Sequence, residues 1–188
     1  RAVTFDCAQT LIDVDWRPAV LAVECAQHLG FDVDETGHAA VYDRLLRSRW
    51  GEFRELNLTR DANLTDAFWD KLTSDWCQEC GYPQGSTVKV LHEARERLFG
   101  PASTVFRLYD DVVPCLEALA RSGVVLAVVS NWDISLHRVI DAFGLRPFFA
   151  TVVASMEEGV EKPDPRIFET ALQRIGMDAA AAWHVGDN

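Results

Sequence analysis

The sequence predicts an α/β protein: a parallel sheet with flanking helices, interrupted after its first strand by an all-helical insert. Three observations support this. Ala2-Val3-Thr4-Phe5-Asp6 is a short apolar run ending in an aspartate, the form of a strand that brings a carboxylate to its carboxyl end. Val124 to Val129 has no polar alternation and reads as a strand buried on both faces, as parallel strands are. From Pro18 to about Leu98 there is almost no strand signal. A segment of that length cannot be a structureless loop in a compact domain. The elements together predict a Rossmann-like, three-layer core with a four-helix insert.

In chain order, residues 2–6 form the first strand, and Leu11 to Trp16 form a turn or hairpin. The first helix of the insert opens at Pro18, which suits a first helical turn, and closes at Gly30. Further helices are expected over about 36–50, 64–80 and 87–98. Thr65 or Asp66 lies near the start of the third, and Gly81 past its end. Trp50, Trp69 and Trp76 read as packing between these helices. The α/β rhythm resumes at Tyr109, with a helix over about 112–122 capped by Gly123 and the strand at 124–129. A helix follows around 134–143, then a strand at Thr151–Ala154. A helix from Pro165 to Ile175 is expected between an Asp164 N-cap and a Gly176 C-cap, and a last strand at 182–186. The domains predicted are a discontinuous core of residues 1–15 and 102–188 and a helical cap of residues 16–101. The chain begins at Arg1 and stops at Asn188, directly after Gly186-Asp187. A doubly wound domain is expected to continue with a helix and another strand, so the chain reads as part of a longer protein.

The 188 residues include 18 basic and 29 acidic ones, for a net charge of −11. That balance argues against nucleic acid and anionic membrane as large partners. It leaves room for a small anionic substrate, because a site makes its own local field. There is no apolar run of about 18 residues to span a membrane, and no signal peptide is visible. Five cysteines without dense spacing point to a reducing cytosol. Cys77 and Cys80 form a CxxC, which reads as two cysteines on adjacent turns of a helix. Cys7 reads as a packing residue beside Asp6.

Four segments place chemistry at strand or helix edges. Asp6 is followed four residues later by Thr10. Ser130-Asn131 ends the second apolar strand. Lys162 precedes a helix start in Glu161-Lys162-Pro163-Asp164-Pro165. Gly186-Asp187 ends the last strand. In this order the four segments resemble the motifs of the haloacid dehalogenase superfamily of hydrolases: a nucleophilic Asp, a Ser/Thr, a Lys and an acidic pair. The resemblance covers roughly the first 14 residues and everything after about residue 105. The segment between is similar, less specifically, to that family's helical cap.

The resemblance implies that Asp6 is a nucleophile forming a covalent aspartyl intermediate that water hydrolyses. Thr10, Ser130 and Asn131 would donate hydrogen bonds to the bound anion or orient Asp6, and Lys162 would offset the charge of nucleophile and substrate. Asp6, Asp187 and the backbone carbonyl of Ala8 would coordinate Mg²⁺, which takes hard oxygen ligands. A further acid is expected beyond Asn188. The activity implied is Mg²⁺-dependent hydrolysis of a small phosphorylated metabolite in the cytoplasm.

Ala8 departs from the pattern. Family phosphatases carry there an Asp that protonates the leaving oxygen, an effect worth about 10²- to 10⁴-fold. Its loss implies weak activity on alkyl esters, and Asp13 and Asp15 are the nearby carboxylates that could substitute. The dehalogenase branch carries Tyr-Gly where this chain has Ala8-Gln9, and it has no use for a metal acid such as Asp187. The phosphonate-cleaving branch does carry Ala, but needs a cap lysine for an imine. The early cap helices offer Arg44, Arg47, Arg49 and Arg54, which stay protonated, and the cap lysines Lys71 and Lys89 come late. Arg47, Arg49 and Arg54 read either as a charged solvent face or as contacts for a substrate's anionic end. Trp132 follows Asn131 and would narrow the pocket. The alternatives kept are a metal-independent dehalogenase-like hydrolase and a non-catalytic member that binds a ligand or a protein.

Overall fold

The computed structural model describes residues 1–100 and 103–187, and the chain divides into two compact units, 1–14 with 106–188 and 15–105. The boundary expected at residues 101 and 102, and the last motif residue Asn188, lie outside the described residues.

The first unit is built on a parallel sheet of β1 (Ala2–Phe5), β4 (Val125–Ser130), β5 (Thr151–Ala154) and β6 (Ala182–Val185), in the order β5-β4-β1-β6. The register pairs Phe5 with Val128 on one side and with Val185 on the other. The chain steps outward from β1 to β4 to β5, then returns to set β6 on the free edge of β1. Parallel strands present their carboxyl ends at one edge, so the residues after β1, β4, β5 and β6 share it. The core is apolar, as the sequence pattern requires: Leu126 to Val129 are buried along β4. On this sheet, α8 (Pro165–Ile175) packs Ile167 and Ala171 against Val129 and Val153. Asp164 caps α8 by accepting from the Arg166 amide at 3.0 Å, and Gly176 closes it in the left-handed conformation at φ 65°. The helices α5 (Val112–Arg121) and α6 (Ser135–Ala142) match expectation within two residues.

Three small elements of this unit go beyond the sequence reading, which placed a turn or hairpin at Leu11 to Trp16. Ile12–Val14 (β2) pairs antiparallel with Phe106–Leu108 (β3), and a single helical turn, α7 (Ser155–Glu158), follows β5. Three-residue strands carry too little periodicity to be read from sequence.

The second unit consists, among its described residues, of four helices: α1 (Pro18–His28), α2 (Glu35–Leu58), α3 (Ala62–Glu79) and α4 (Ser86–Phe99). They close a ring in which α1 meets α2 and α4, and α3 meets α2 and α4. Helix α2 continues past Trp50, where the sequence reading ended it. Gly51 is solvent-exposed inside it, and Phe53 and Asn57 still face the core, so packing outweighs one unfavourable glycine. Helix α3 starts at Asp61, whose carboxylate accepts from the Asn63 amide at 2.9 Å. Thr65, expected to lie near that start, instead bonds back to the Ala62 carbonyl.

The tryptophans divide. Trp76 is fully buried, donates from Nε1 to the His38 carbonyl at 2.8 Å and stacks edge-on against Tyr42. Trp69 lies half-buried among Phe53, Phe68 and Trp16. Trp50 is 39% exposed, so it is no core residue, although it lies against Phe53. Trp76→Ala removes the largest fully buried side chain among the described residues and the indole hydrogen bond to the His38 carbonyl. It is expected to destabilise the helical unit by about 3–5 kcal/mol, read as a lower urea midpoint for the helical signal.

Among the described residues, no helix is long and apolar enough to cross a membrane.

Candidate functional site

Asp6 follows β1, and its place at the sheet edge is set by backbone bonding, with its amide donating to the Val185 carbonyl at 2.8 Å. Its side chain is only 13% exposed and meets three donors. Oδ1 accepts from Ser130 Oγ at 2.7 Å and from the Cys7 amide at 2.7 Å. Oδ2 pairs with Lys162 Nζ, whose side chain is 16% exposed. One carboxylate oxygen is thus fixed by two neutral donors and the other faces a cation. The geometry fixes the orientation of the Asp6 carboxylate and sets the Lys162 ammonium against one of its oxygens.

Ser130 is the last residue of β4, two positions beyond the Val128 that pairs with Phe5, which puts its hydroxyl beside the Asp6 carboxylate. The residues after it tie the loop to the neighbouring elements. Trp132 donates its amide to Ser155 Oγ at 3.2 Å and accepts from the Met156 amide at 3.1 Å. Its ring packs on Phe106 and its Nε1 donates to Ser135 Oγ, so its bulk is fixed.

Two of the expected side chains do not touch Asp6. The Asn131 amide instead brackets the Lys162 backbone: Lys162 N–H donates to Oδ1 at 2.8 Å, and Nδ2 donates to the Lys162 carbonyl at 3.1 Å. The Thr10 hydroxyl is buried without a hydrogen-bond partner among the described residues, because the tight turn after Asp6 puts it on neither carboxylate oxygen. The Cys7 carbonyl organises that turn by accepting from the Leu11 and Ile12 amides, both at 3.0 Å. Gln9 turns the chain at φ 55°, donates to the Val14 carbonyl at 3.1 Å and accepts from the Tyr109 hydroxyl at 3.1 Å.

The carboxylates named as replacements for the missing acid are engaged elsewhere. Asp13 pairs with Arg107 at 2.8 Å, and Asp15 with Arg17 at 2.6 Å. In the helical unit Arg49 is taken up by Asp75 at 2.6 Å, which Lys71 also bonds, and Arg44 by Glu79. Arg47 and Arg54 lie exposed on α2. Burial pushes the Cys77 and Cys80 thiols up to about 11, so both stay protonated at neutral pH. Cys7 is fully buried; burial, reinforced by the Asp6 charge, raises its thiol far more, which removes it as a rival nucleophile.

The roles of three residues escaped the sequence reading. The Cys7 donor is a backbone group and has no sequence signal. His184 and Gly186 have one, in the run Trp183-His184-Val185-Gly186. Thr4 and Asp6 share a face of β1 by strand alternation, and Thr4 pairs in register with His184. Thr4 Oγ1 lies 2.9 Å from His184 Nδ1, and the imidazole stacks edge-on against Phe168. Burial, with the Lys162 charge, holds the His184 pKa below the usual imidazole range, so it is neutral at pH 7. At Gly186 a Cβ would come within 3.3 Å of His184 Nε2 and 3.4 Å of Asp6 Cβ. Gly186→Ala is therefore expected to crowd the His184 ring while leaving Asp6 in ordinary van der Waals contact, and to lower kcat/KM only about two- to threefold. The unfolding temperature should fall only slightly, and steady-state kinetics with thermal unfolding check both.

Among the described residues no group of three or more His, Cys, Asp or Glu gathers as a metal cluster. The oxygen groups on the residues after the parallel strands include the carboxylates of Asp6 and Asp187, which follow the adjacent strands β1 and β6, and the Ala8 carbonyl, to which no donor is bonded among the described residues. This is a hard-oxygen set, of the type that suits Mg²⁺ with retained waters.

Fold and site define a hydrolase of the parallel α/β class, with a strand-end aspartate set between a hydroxyl and an ammonium. The chain belongs to a specific family of that class: the haloacid dehalogenase-like hydrolase model matches residues 1–188. It is 27% identical over 188 residues to haloacid dehalogenase-like hydrolase domain-containing protein 3 of Bos taurus, covering all of this chain and 74% of that one. It is 31% identical over 156 residues to phosphoserine phosphatase of Thermus thermophilus, covering 81% of this chain and 57% of the relative. Among solved structures, 2-haloacid dehalogenase from Pseudomonas syringae pv. tomato superposes with a TM-score of 0.64 at 26% identity, covering all of this chain and 78% of that one.

Proposed function

We propose that this hydrolase cleaves a small phosphorylated metabolite through a covalent intermediate on Asp6, with Mg²⁺ bound. The observation that carries this reading is the asymmetric hold on the Asp6 carboxylate. Oδ1 accepts from both Ser130 Oγ and the Cys7 N–H, whereas among the described residues Oδ2 meets Lys162. Oδ2 is then the oxygen free to attack. It forms the bond to phosphorus as the bond to the leaving oxygen breaks, and that oxygen takes the electron pair and a proton from solvent. Water next attacks the acyl phosphate, releasing phosphate and restoring the carboxylate. Lys162 lowers the repulsion between carboxylate and phosphoryl oxygens, which is strong in a partly dry site. Asp6, Asp187 and the Ala8 carbonyl would hold the ion, and Mg²⁺ bound there would offset the remaining phosphoryl charge. We place the protein in the cytosol, in keeping with five free cysteines.

The likeness to a solved 2-haloacid dehalogenase favours a second reading, attack of Asp6 on a carbon that carries halide. Against it stand Asp187, an acid that chemistry has no use for, and the Ala8-Gln9 pair. The test is a panel of acyl, aryl and alkyl phosphates with and without Mg²⁺, beside halide release from 2-haloacids in chelator. Phosphate release that needs Mg²⁺ and favours good leaving groups is expected. Halide release in chelator without phosphate release would replace this reading with the second. Ligand-induced stabilisation without turnover would indicate a binding protein.

A further inference from the structure

Lys162 lies in the segment between α7 and α8, outside any strand, and its long side chain must still deliver an ammonium to Asp6 Oδ2. A flexible side chain on a loose loop reaches one point only if its backbone is held. Here the hold comes from the Asn131 amide, which donates to and accepts from the Lys162 peptide at 3.1 and 2.8 Å, like a rung of a sheet. Asn131 is itself fixed from both sides. Ser130 before it bonds Asp6 at 2.7 Å, and Trp132 after it is tied to Ser155 and Met156. Two consecutive residues at the end of β4 thus set both sides of the nucleophile: Ser130 by direct contact, Asn131 through Lys162.

We infer that Asn131 is a positioning residue for Lys162 rather than a ligand of the substrate. One edge of its amide is committed to the Lys162 peptide, and its effect on an anion passes through the ammonium. The inference holds for phosphate and haloacid substrates alike, since both are anions that need the Lys162 charge.

The test uses the whole chain and readouts that need no turnover. Hydrogen exchange at the Lys162 amide should accelerate about tenfold or more in Asn131→Ala, because its acceptor is gone. Asn131→Asp keeps an acceptor and should retain most of the protection. Acylation of the Lys162 amine, followed by peptide mass, should rise severalfold in Asn131→Ala and stay near wild type in Asn131→Asp. A double-mutant cycle on inorganic phosphate affinity then separates the two roles. Asn131→Ala should weaken phosphate binding roughly tenfold in the wild-type background and add nothing to Lys162→Ala. Losses that multiply in the double variant would overturn the inference and make Asn131 a direct ligand. Unchanged exchange and acylation at Lys162 in Asn131→Ala would overturn it without any ligand. Failure of phosphatase activity bears on the proposed reaction alone, because none of these measurements depends on it.

Discussion

Asp6→Asn is expected to lower turnover by roughly 10⁴-fold or more while leaving the protein folded. The substitution is nearly isosteric. An asparagine oxygen can still accept from Ser130 Oγ and the Cys7 amide, which hold Oδ1 at 2.7 Å each. What is lost is the second oxygen, the one paired with Lys162. An amide nitrogen there is no nucleophile and presents hydrogens to an ammonium. The ion pair is mostly shielded from solvent, so its loss should destabilise the protein by about 1–3 kcal/mol, short of unfolding it. Asp6→Glu sharpens the result. It keeps the charge and a partner for Lys162 but displaces the carboxylate by one methylene, about 1.5 Å, and should also lose at least 10²-fold. Loss in both variants with cooperative thermal unfolding retained assigns the chemistry to the position of Oδ2 and not to charge alone. Turnover near wild type in Asp6→Asn would remove Asp6 as the nucleophile and with it the covalent route.

How far the site could be read from sequence follows from what each residue does. Asp6, Ser130 and Lys162 were legible because each lies at the end of an element whose apolar pattern or cap is strong. The structure brings those three together on one carboxylate. Asn131 and Thr10 were legible as residues but not as roles. Whether an amide at a strand end faces a substrate or a backbone depends on where a segment 31 residues later runs, which no local pattern encodes. The turn that buries the Thr10 hydroxyl rests on the Cys7 carbonyl and a left-handed Gln9, both backbone properties. The helical unit was legible in number and order of helices because strand signal is nearly absent there and Pro18, Gly30 and Gly81 mark helix ends. Its boundaries were not, since the length of α2 is decided by Phe53 and Asn57 packing inward beyond an exposed glycine. Strands β2 and β3 pair over three residues each across about ninety intervening ones, and such a contact leaves no short-range mark.

Ala8→Asp should raise activity toward phosphate esters with poor leaving groups by about 10²- to 10⁴-fold, and hardly change activity toward acyl or aryl phosphates. The position is half-buried and its side chain takes part in no described contact. The turn around it is held by the Cys7 carbonyl and by Gln9, which bonds Val14 and Tyr109. A carboxylate can therefore be added without dismantling the loop. To act as an acid it must carry a proton, and two opposing influences decide that. The Asp6 charge, two residues away, raises its pKa, whereas Lys162 lowers it. The gain over wild type should then be largest at acid pH and fall as pH rises through that pKa. The decisive measurement is the ratio of variant to wild-type kcat/KM across esters graded by leaving-group pKa. A ratio that climbs with leaving-group pKa shows that the wild-type site lacks only a proton donor, and that what leaves from it must leave unaided. A flat ratio near one, in a variant that still folds and binds Mg²⁺, would mean that proton donation does not limit this site. The substrate would then be sought among compounds whose departing group needs no proton, the 2-haloacids included.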